Sequence, residues 1–213
     1  MLNDKGFDLW ADGYDQSVGL AEEEGSYPFA GYREILNEIY HKIQAGGKKT
    51  VLDIGFGTGT LAAKLYEQGH TIWGQDFSER MLKLAKAKMP EARLYQGDFS
   101  NGLIEELKQN RYDAIVATYS LHHLPDRQKI RFLMSLLPLL QDGGCIYIGD
   151  VVFDTRADLE RQKEWIGEEW DEEEFYFIVS ELAEVFPQIK FQRFSFCAGL
   201  FCLEKAETGS SSF

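Results

Sequence analysis

Residues 51–62 read VLDIGFGTGTLA, and this stretch decides the fold. The apolar run TVLDI at 50–54 stops at three closely spaced glycines, Gly55, Gly57 and Gly59, and a helix-like stretch follows from Thr60 to Gln68. Glycine lets the chain turn tightly and approach a ligand with no Cβ in the way, while the start of a helix offers free N–H groups. A strand, a glycine turn and a helix in that order suit a nucleotide-like ligand, although plain strand–helix packing uses the same turn. The spacing separates the candidate ligands. A dinucleotide fingerprint needs G-x-G-x-x-G, but Thr60 stands sixth here, so an NAD-dependent oxidoreductase is disfavoured. A phosphate loop needs a terminal Gly-Lys-Ser/Thr, and no lysine follows the turn before Lys64.

Outward from this turn, short apolar runs alternate with helical patterns, the signature of βα units and a mostly parallel sheet. TIWGQ at 71–75 leads to a helix capped by Ser78, with Met81, Leu82 and Ala85 on one face. A third strand covers 92–96 and a helix Gly102 to Gln109. YDAIVATY at 112–119, the most continuously apolar run, reads as a central strand. Asp126 is expected to cap a helix that Pro138 ends, and the Asp-Gly-Gly turn at 142–144 feeds CIYIGD at 145–150. IKFQRFSF at 189–196 and GLFCLEK at 199–205 are close enough to form an antiparallel hairpin. The sum is five parallel strands and a terminal hairpin.

At 213 residues and 44% hydrophobic, the chain fits one globular domain. Residues 1–49 read as a helical cap over the sheet's edge, 50–205 as the core, and 206–213 as a disordered tail. The charged stretch 154–184 reads either as a solvated helical face or as a lid-like insertion; it carries EEWDEEE at 168–174 together with Trp165, Trp170, Phe175 and Tyr176. The net charge of −13, with no basic stripe, argues against a nucleic-acid partner. Three cysteines without CxxC spacing suit a reducing compartment, and no signal peptide or membrane span is read, so a cytoplasmic monomer or homodimer is expected.

Carboxylates follow at the ends of successive strands. Asp76 stands about 20 residues beyond the glycine turn, where an acid can accept both hydroxyls of a ribose, and Phe77 beside it offers a face for adenine. Asp98, in QGDFS at 96–100, can accept from an exocyclic amine or merely cap the next helix.

The succession VLDIGFGTG, GQDFS, QGDFS, YDAIVATYSLHHLPD and LLQDGGCIYIGD, over roughly residues 50–150, resembles class I S-adenosylmethionine-dependent methyltransferases. With Trp10, Tyr14 and Asp15 ahead of it, the chain is similar to their small-molecule group, which includes ubiquinone/menaquinone-type enzymes. The resemblance implies a Rossmann-like α/β fold: a seven-stranded, mostly parallel sheet with an antiparallel final strand and helices on both faces. It implies S-adenosyl-L-methionine as cofactor, S-adenosyl-L-homocysteine as product and a small-molecule acceptor. It also implies roles. Asp53 and the Gly55–Gly59 turn surround the methionine part and ribose, Asp76 holds the ribose hydroxyls, and Asp98 with the Phe99 backbone reads adenine. Tyr14 closes over the methionine end, and Thr118 lines the transfer site.

Methyl transfer from a sulfonium relies mainly on alignment and exclusion of water, and a base is optional. His122 and His123, just past the fourth strand, are the candidate catalytic residues; a structural role in the loop is the alternative. In an extended backbone their side chains point apart, so one faces the cleft, His122 by preference. No metal is expected, since His122, His123 and Asp126 form the nearest set and nothing else supports it. His41 and His70 read as surface positions. A non-catalytic S-adenosylmethionine-binding regulatory module stays open as the other reading.

Overall fold

The computed structural model describes residues 27–167 and 170–205. The elements are α1 (Tyr32–Gln44), β1 (Thr50–Ile54), α2 (Thr60–Glu67), β2 (Thr71–Asp76), α3 (Glu79–Lys88), β3 (Arg93–Gln96), α4 (Glu105–Lys108), β4 (Tyr112–Thr118), α5 (Asp126–Leu136), β5 (Leu140–Phe153), α6 (Arg156–Ile166), β6 (Phe177–Ile178), α7 (Val179–Val185), β7 (Lys190–Arg193) and β8 (Ala198–Glu204). The strands form one sheet in the order β3-β2-β1-β4-β5-β8-β7, with β6 a two-residue branch paired to β5. β1 to β5 run parallel, and β8 is antiparallel to both β5 and β7. This is the Rossmann-like α/β sheet the sequence implies, with β6 added.

Alternation along the strands builds two cores. Leu52, Ile115 and Ile146 turn to one face beneath Leu133 and Leu136 of α5 and Leu182 of α7. Val51, Ala114 and Val116 turn to the other, beneath Ile35 and Ile39 of α1, Leu61 and Leu65 of α2 and Ala85 of α3. A third cluster, with Phe153, Tyr176 and Ile178, closes the carboxyl end of β5. Among the described residues no helix is long and apolar enough to cross a membrane.

Several expectations are corrected. α1 packs on the face of β5 and β8 rather than over the sheet's edge, because Gly149 of β5 leaves room for Ile35; a Cβ at Gly149 would come within 2.4 Å of Ile35 Cγ2. The helix expected from Gly102 shrinks to the four residues of α4. Gly102 has φ 93°, and the buried Gln75 amide holds the segment irregular by donating to the Gly102 carbonyl (3.1 Å) and accepting from Ile104 N–H (2.9 Å). The Asp-Gly-Gly turn lies inside β5 as an irregularity, since pairing jumps from Tyr112↔Leu140 to Ala114↔Cys145. Pro125 rather than Asp126 stands at the N-cap of α5, and the Asp126 carboxylate pairs with Lys129 (3.1 Å) and Arg156 (2.8 Å). His70 is buried, its Nδ1 accepting from Lys49 N–H at 3.0 Å, and burial followed by Lys48 and Lys49 holds its pKa down. His41 is exposed as expected, and Ser78 caps α3 by accepting from Met81 N–H at 3.3 Å. Trp10, Tyr14, Asp15 and the tail 206–213 lie outside the described residues.

Replacing Gly149 by Ala forces Ile35 and α1 outward. An overpacked contact of this kind costs about 1–3 kcal/mol. Denaturant unfolding of Gly149→Ala is expected to show a lower midpoint by that measure, and an unchanged midpoint contradicts the packing of α1.

Candidate active site

The strand order reverses between β1 and β4, and ligands of open α/β sheets bind beyond the carboxyl ends of the strands at such a point. A cleft of about 240 Å³ lies there. Its floor is Asp53, Gly55, Gly57 and Thr118. Of the candidate binding and catalytic residues read from the sequence, these four line it.

The glycines do different work. Gly55 (φ 69°) lies so close to β4's exit that a Cβ would meet Ser120 Cβ at 2.5 Å, and Ser120 Oγ donates to the Ile54 carbonyl at 2.9 Å. At Gly57 (φ 53°) no described atom lies within 4 Å of where a Cβ would stand. Gly59 (φ 76°) is the N-cap of α2 and packs on Ala85 and Met89 of the α3 region.

Asp76 lies behind the turn rather than on the cleft floor. Its Oδ2 accepts from Gly57 N–H and its Oδ1 from Ser78 N–H, each at 2.8 Å. A carboxylate has about four lone-pair sites, so two remain for a ligand. Phe77 is 66% exposed beside it. Asp98 takes the capping role: it accepts from Ser100 N–H (2.8 Å) and Asn101 Nδ2 (3.2 Å) over the turn Phe99–Asn101. The Phe99 ring is buried against Phe132, and its edge reaches Gly55's surroundings.

Asp53 is the unusual group. It is buried, and its Oδ1 has no hydrogen-bond partner among the described residues. Burial, aided by the nearby Asp76 charge, pushes its carboxyl up to about 7. A buried polar atom left without a partner is costly.

The sequence did not single out the aromatic wall of the cleft. Phe29 and Tyr32 pack on Tyr119, with ring centroids 5.5 and 5.0 Å away. Tyr119 has φ 49°, a conformation side chains rarely adopt, fixed by its N–H donating to the Gly149 carbonyl at 2.8 Å. Its position after β4 offers no local signal for this.

His122 and His123 lie just beyond, outside the cleft floor. The backbone there is a 3₁₀ turn, Leu121–His123, rather than extended, so the two rings meet edge to face at 4.3 Å instead of pointing apart. His122 is buried, with Nδ1 2.7 Å from Asp150 Oδ1 and Nε2 3.5 Å from Glu174 Oε1. Burial opposes a charge on this ring, but Asp150 and then Glu174 outweigh it and its pKa is raised. Burial and the neighbouring His122 lower that of His123. The chain 170–178 closes against this turn: Phe175 N–H donates to the His122 carbonyl at 2.7 Å, and Tyr176 hydroxyl bonds Glu174 and Tyr27. Asp126, expected near the histidines, is turned away to Lys129 and Arg156. Asp150 could have been found from the sequence, since it ends CIYIGD as Asp76 ends its own strand.

The Asp53 shift has a definite sign. The folded protein keeps a proton up to about pH 7 that the unfolded chain releases near pH 3.9, so this group lowers stability as pH rises between those values. Asn mimics the protonated acid. Asp53→Asn is therefore expected to be more stable than the wild type at pH 8, with the difference fading towards pH 4. Thermal unfolding of both proteins across that range checks it, and a pH-independent difference contradicts it.

A family model described as a methyltransferase domain matches residues 51–144. An uncharacterized methyltransferase of Geobacillus sp. (strain WCH70) is 41% identical over 156 residues, covering 73% of this chain and 70% of the relative. Another from Anoxybacillus flavithermus is 34% identical over 187 residues, covering 84% and 85%. Among solved structures, magnesium protoporphyrin IX methyltransferase (ChlM) from Synechocystis PCC 6803 with bound SAH shares the fold, with a TM-score of 0.69 over 96% of both chains at 17% identity. With a glycine turn and strand-end acids set around the switch point, and relatives of this identity over most of its length, the chain belongs to the class I methyltransferase family.

Proposed function

We propose that this protein is a cytoplasmic enzyme that methylates a small-molecule acceptor using S-adenosylmethionine and releases S-adenosylhomocysteine. The observation that carries the reading is the cleft between β1 and β4, lined by the buried Asp53 and by a glycine turn at which no described atom lies within 4 Å of a Cβ placed on Gly57. The ligand supplies a methyl group made electrophilic by a sulfonium.

The chain's own residues divide the binding among them. Asp53 suits the ammonium of the methionine part, which satisfies its lone oxygen and favours its ionised form. Gly55 and Gly57 admit the ligand close to the backbone, and Gly59 opens the N-terminus of α2 towards it. Asp76, fixed by Gly57 and Ser78, turns its remaining lone pairs to the ribose hydroxyls. Phe77 offers an exposed ring to adenine, and Asp98 with the Phe99 backbone lies where the adenine amine is read. Thr118 lines the transfer point, and Tyr14, outside the described residues, is assigned to close over it.

The acceptor is assigned to the side of His122 and His123, which follow Thr118 and Tyr119 and handle the acceptor's proton. The segment 154–184 covers this side through Phe175 and Glu174, which supports a lid role for it. Trp165 is 77% exposed, whereas Trp170 stacks on Tyr27. Glu168 and Glu169 lie outside the described residues. The carboxylates here favour a neutral or cationic acceptor over an anionic one. The overall charge of −13 supports a small molecule rather than a nucleic acid, and three free cysteines fit the reducing cytoplasm.

Calorimetry with S-adenosylmethionine and S-adenosylhomocysteine tests the reading. The wild type is expected to bind both, and Asp76→Ala to weaken both by roughly 1–3 kcal/mol through lost charge-assisted bonds. Wild-type affinity in Asp76→Ala removes the ribose assignment; no binding by the wild type removes the reading.

A further inference from the structure

We propose that His122, His123 and Glu174 form a binding site for a first-row divalent metal ion. Each offers one ligand atom, and the three atoms lie within 4.8 Å of one another. His122 is buried, Glu174 half-buried and His123 exposed, so the group opens to solvent on one side and leaves coordination positions for another ligand.

The geometry between His122 and Glu174 fits ligation better than hydrogen bonding. Nε2 and Oε1 are 3.5 Å apart, too far for a good charge-assisted bond. Two ligands about 2.1 Å from a tetrahedral metal stand about 3.4 Å from each other. Nδ1 of His122 is engaged by Asp150 at 2.7 Å, which fixes the ring and leaves Nε2 as the ligand atom, an arrangement common around metal-bound histidines. Glu174 is fixed in the same manner, since Tyr176 hydroxyl holds its Oε2 and leaves Oε1 towards His122.

Charge points the same way. Asp150 and Glu174 bracket a single imidazole, and Asp150 Oδ2 is buried with no partner among the described residues. Lys129, the nearby cation, is already engaged by Asp126 and the Phe175 carbonyl. Two imidazoles and a carboxylate suit Zn²⁺, Mn²⁺ or Fe²⁺ rather than Ca²⁺ or Mg²⁺, which take oxygen ligands.

The ion's role rests on the methyl-transfer reading: bound beside the transfer point, it would hold an acceptor hydroxyl and ease loss of its proton, a task otherwise left to a histidine alone. The site itself does not depend on that reading, and its test needs neither cofactor nor acceptor.

Tag-free, chelator-treated protein is titrated with Zn²⁺ at pH 8 by calorimetry, and with Co²⁺ by visible absorption. The expected result is one ion per chain, bound at least about tenfold more weakly by Glu174→Gln and by His122→Gln, and about 10–100-fold more weakly by Asp150→Asn. His41→Gln, on the exposed face of α1, is expected to match the wild type. Glu174→Gln keeps the side chain's shape and its place beside Tyr176, so it carries the test if the buried His122 variant fails to fold by circular dichroism. No saturable Zn²⁺ binding in the wild type, or binding and Co²⁺ absorption unchanged in Glu174→Gln, overturns the site. Calorimetry with S-adenosylmethionine reports separately on the cleft, so failure of one proposal is distinguishable from failure of the other.

Discussion

Everything at the candidate site depends on how closely the carboxyl ends of β1 and β4 approach. At Gly55 the two strand exits meet with no room for a methyl group, and the Ser120 hydroxyl joins them through the Ile54 carbonyl. That contact sets the floor of the cleft. On one side it leaves the glycine turn free to be held by Asp76; on the other it starts the turn that carries His122 and His123. The sheet can place these groups together because the parallel strands are buried on both faces, and side chains there have little freedom to shift.

The electrostatics of this end of the sheet are set by buried acids. Asp53, Asp76 and Asp150 all lie buried towards the carboxyl ends of their strands, and burial makes each charge expensive unless something opposite in sign or able to donate is supplied. Asp76 solves this with two backbone N–H groups and Asp150 in part with His122 and Val151 N–H. Asp53 Oδ1 has no partner among the described residues.

Much of the fold was legible because its signals are local. Alternating apolar runs, three glycines at the end of the first strand and Ser78 before Met81 each name an element from a few neighbouring residues. What the sequence hid depends on contacts between distant segments. Nothing near Glu174 says that it meets His122, nor that Phe175 donates to the His122 carbonyl, because β6 forms only by pairing with β5. The helix expected from Gly102 gave way to Gln75, a buried amide on a neighbouring strand. The histidine rings came together because a short 3₁₀ turn replaced the extended backbone, a difference that two residues' identities do not encode. Asp98 kept the capping role that its place before a turn allows, and its part towards a ligand stays with the proposed function.

The left-handed backbone at Tyr119 has a consequence for how the chain responds to occupancy. Holding a non-glycine residue there costs about 1–2 kcal/mol, and the contacts that offset it come from the Gly149 carbonyl and from Phe29 and Tyr32, which enter from the start of the described chain. The same ring forms a wall of the cleft. A molecule packing on that wall therefore shares a stabilising partner with α1 and the residues just before it. By reciprocity of linked equilibria, whatever tightens the docking of that segment sharpens retention of the bound molecule, and the bound molecule in turn protects the segment from amide exchange and proteolysis.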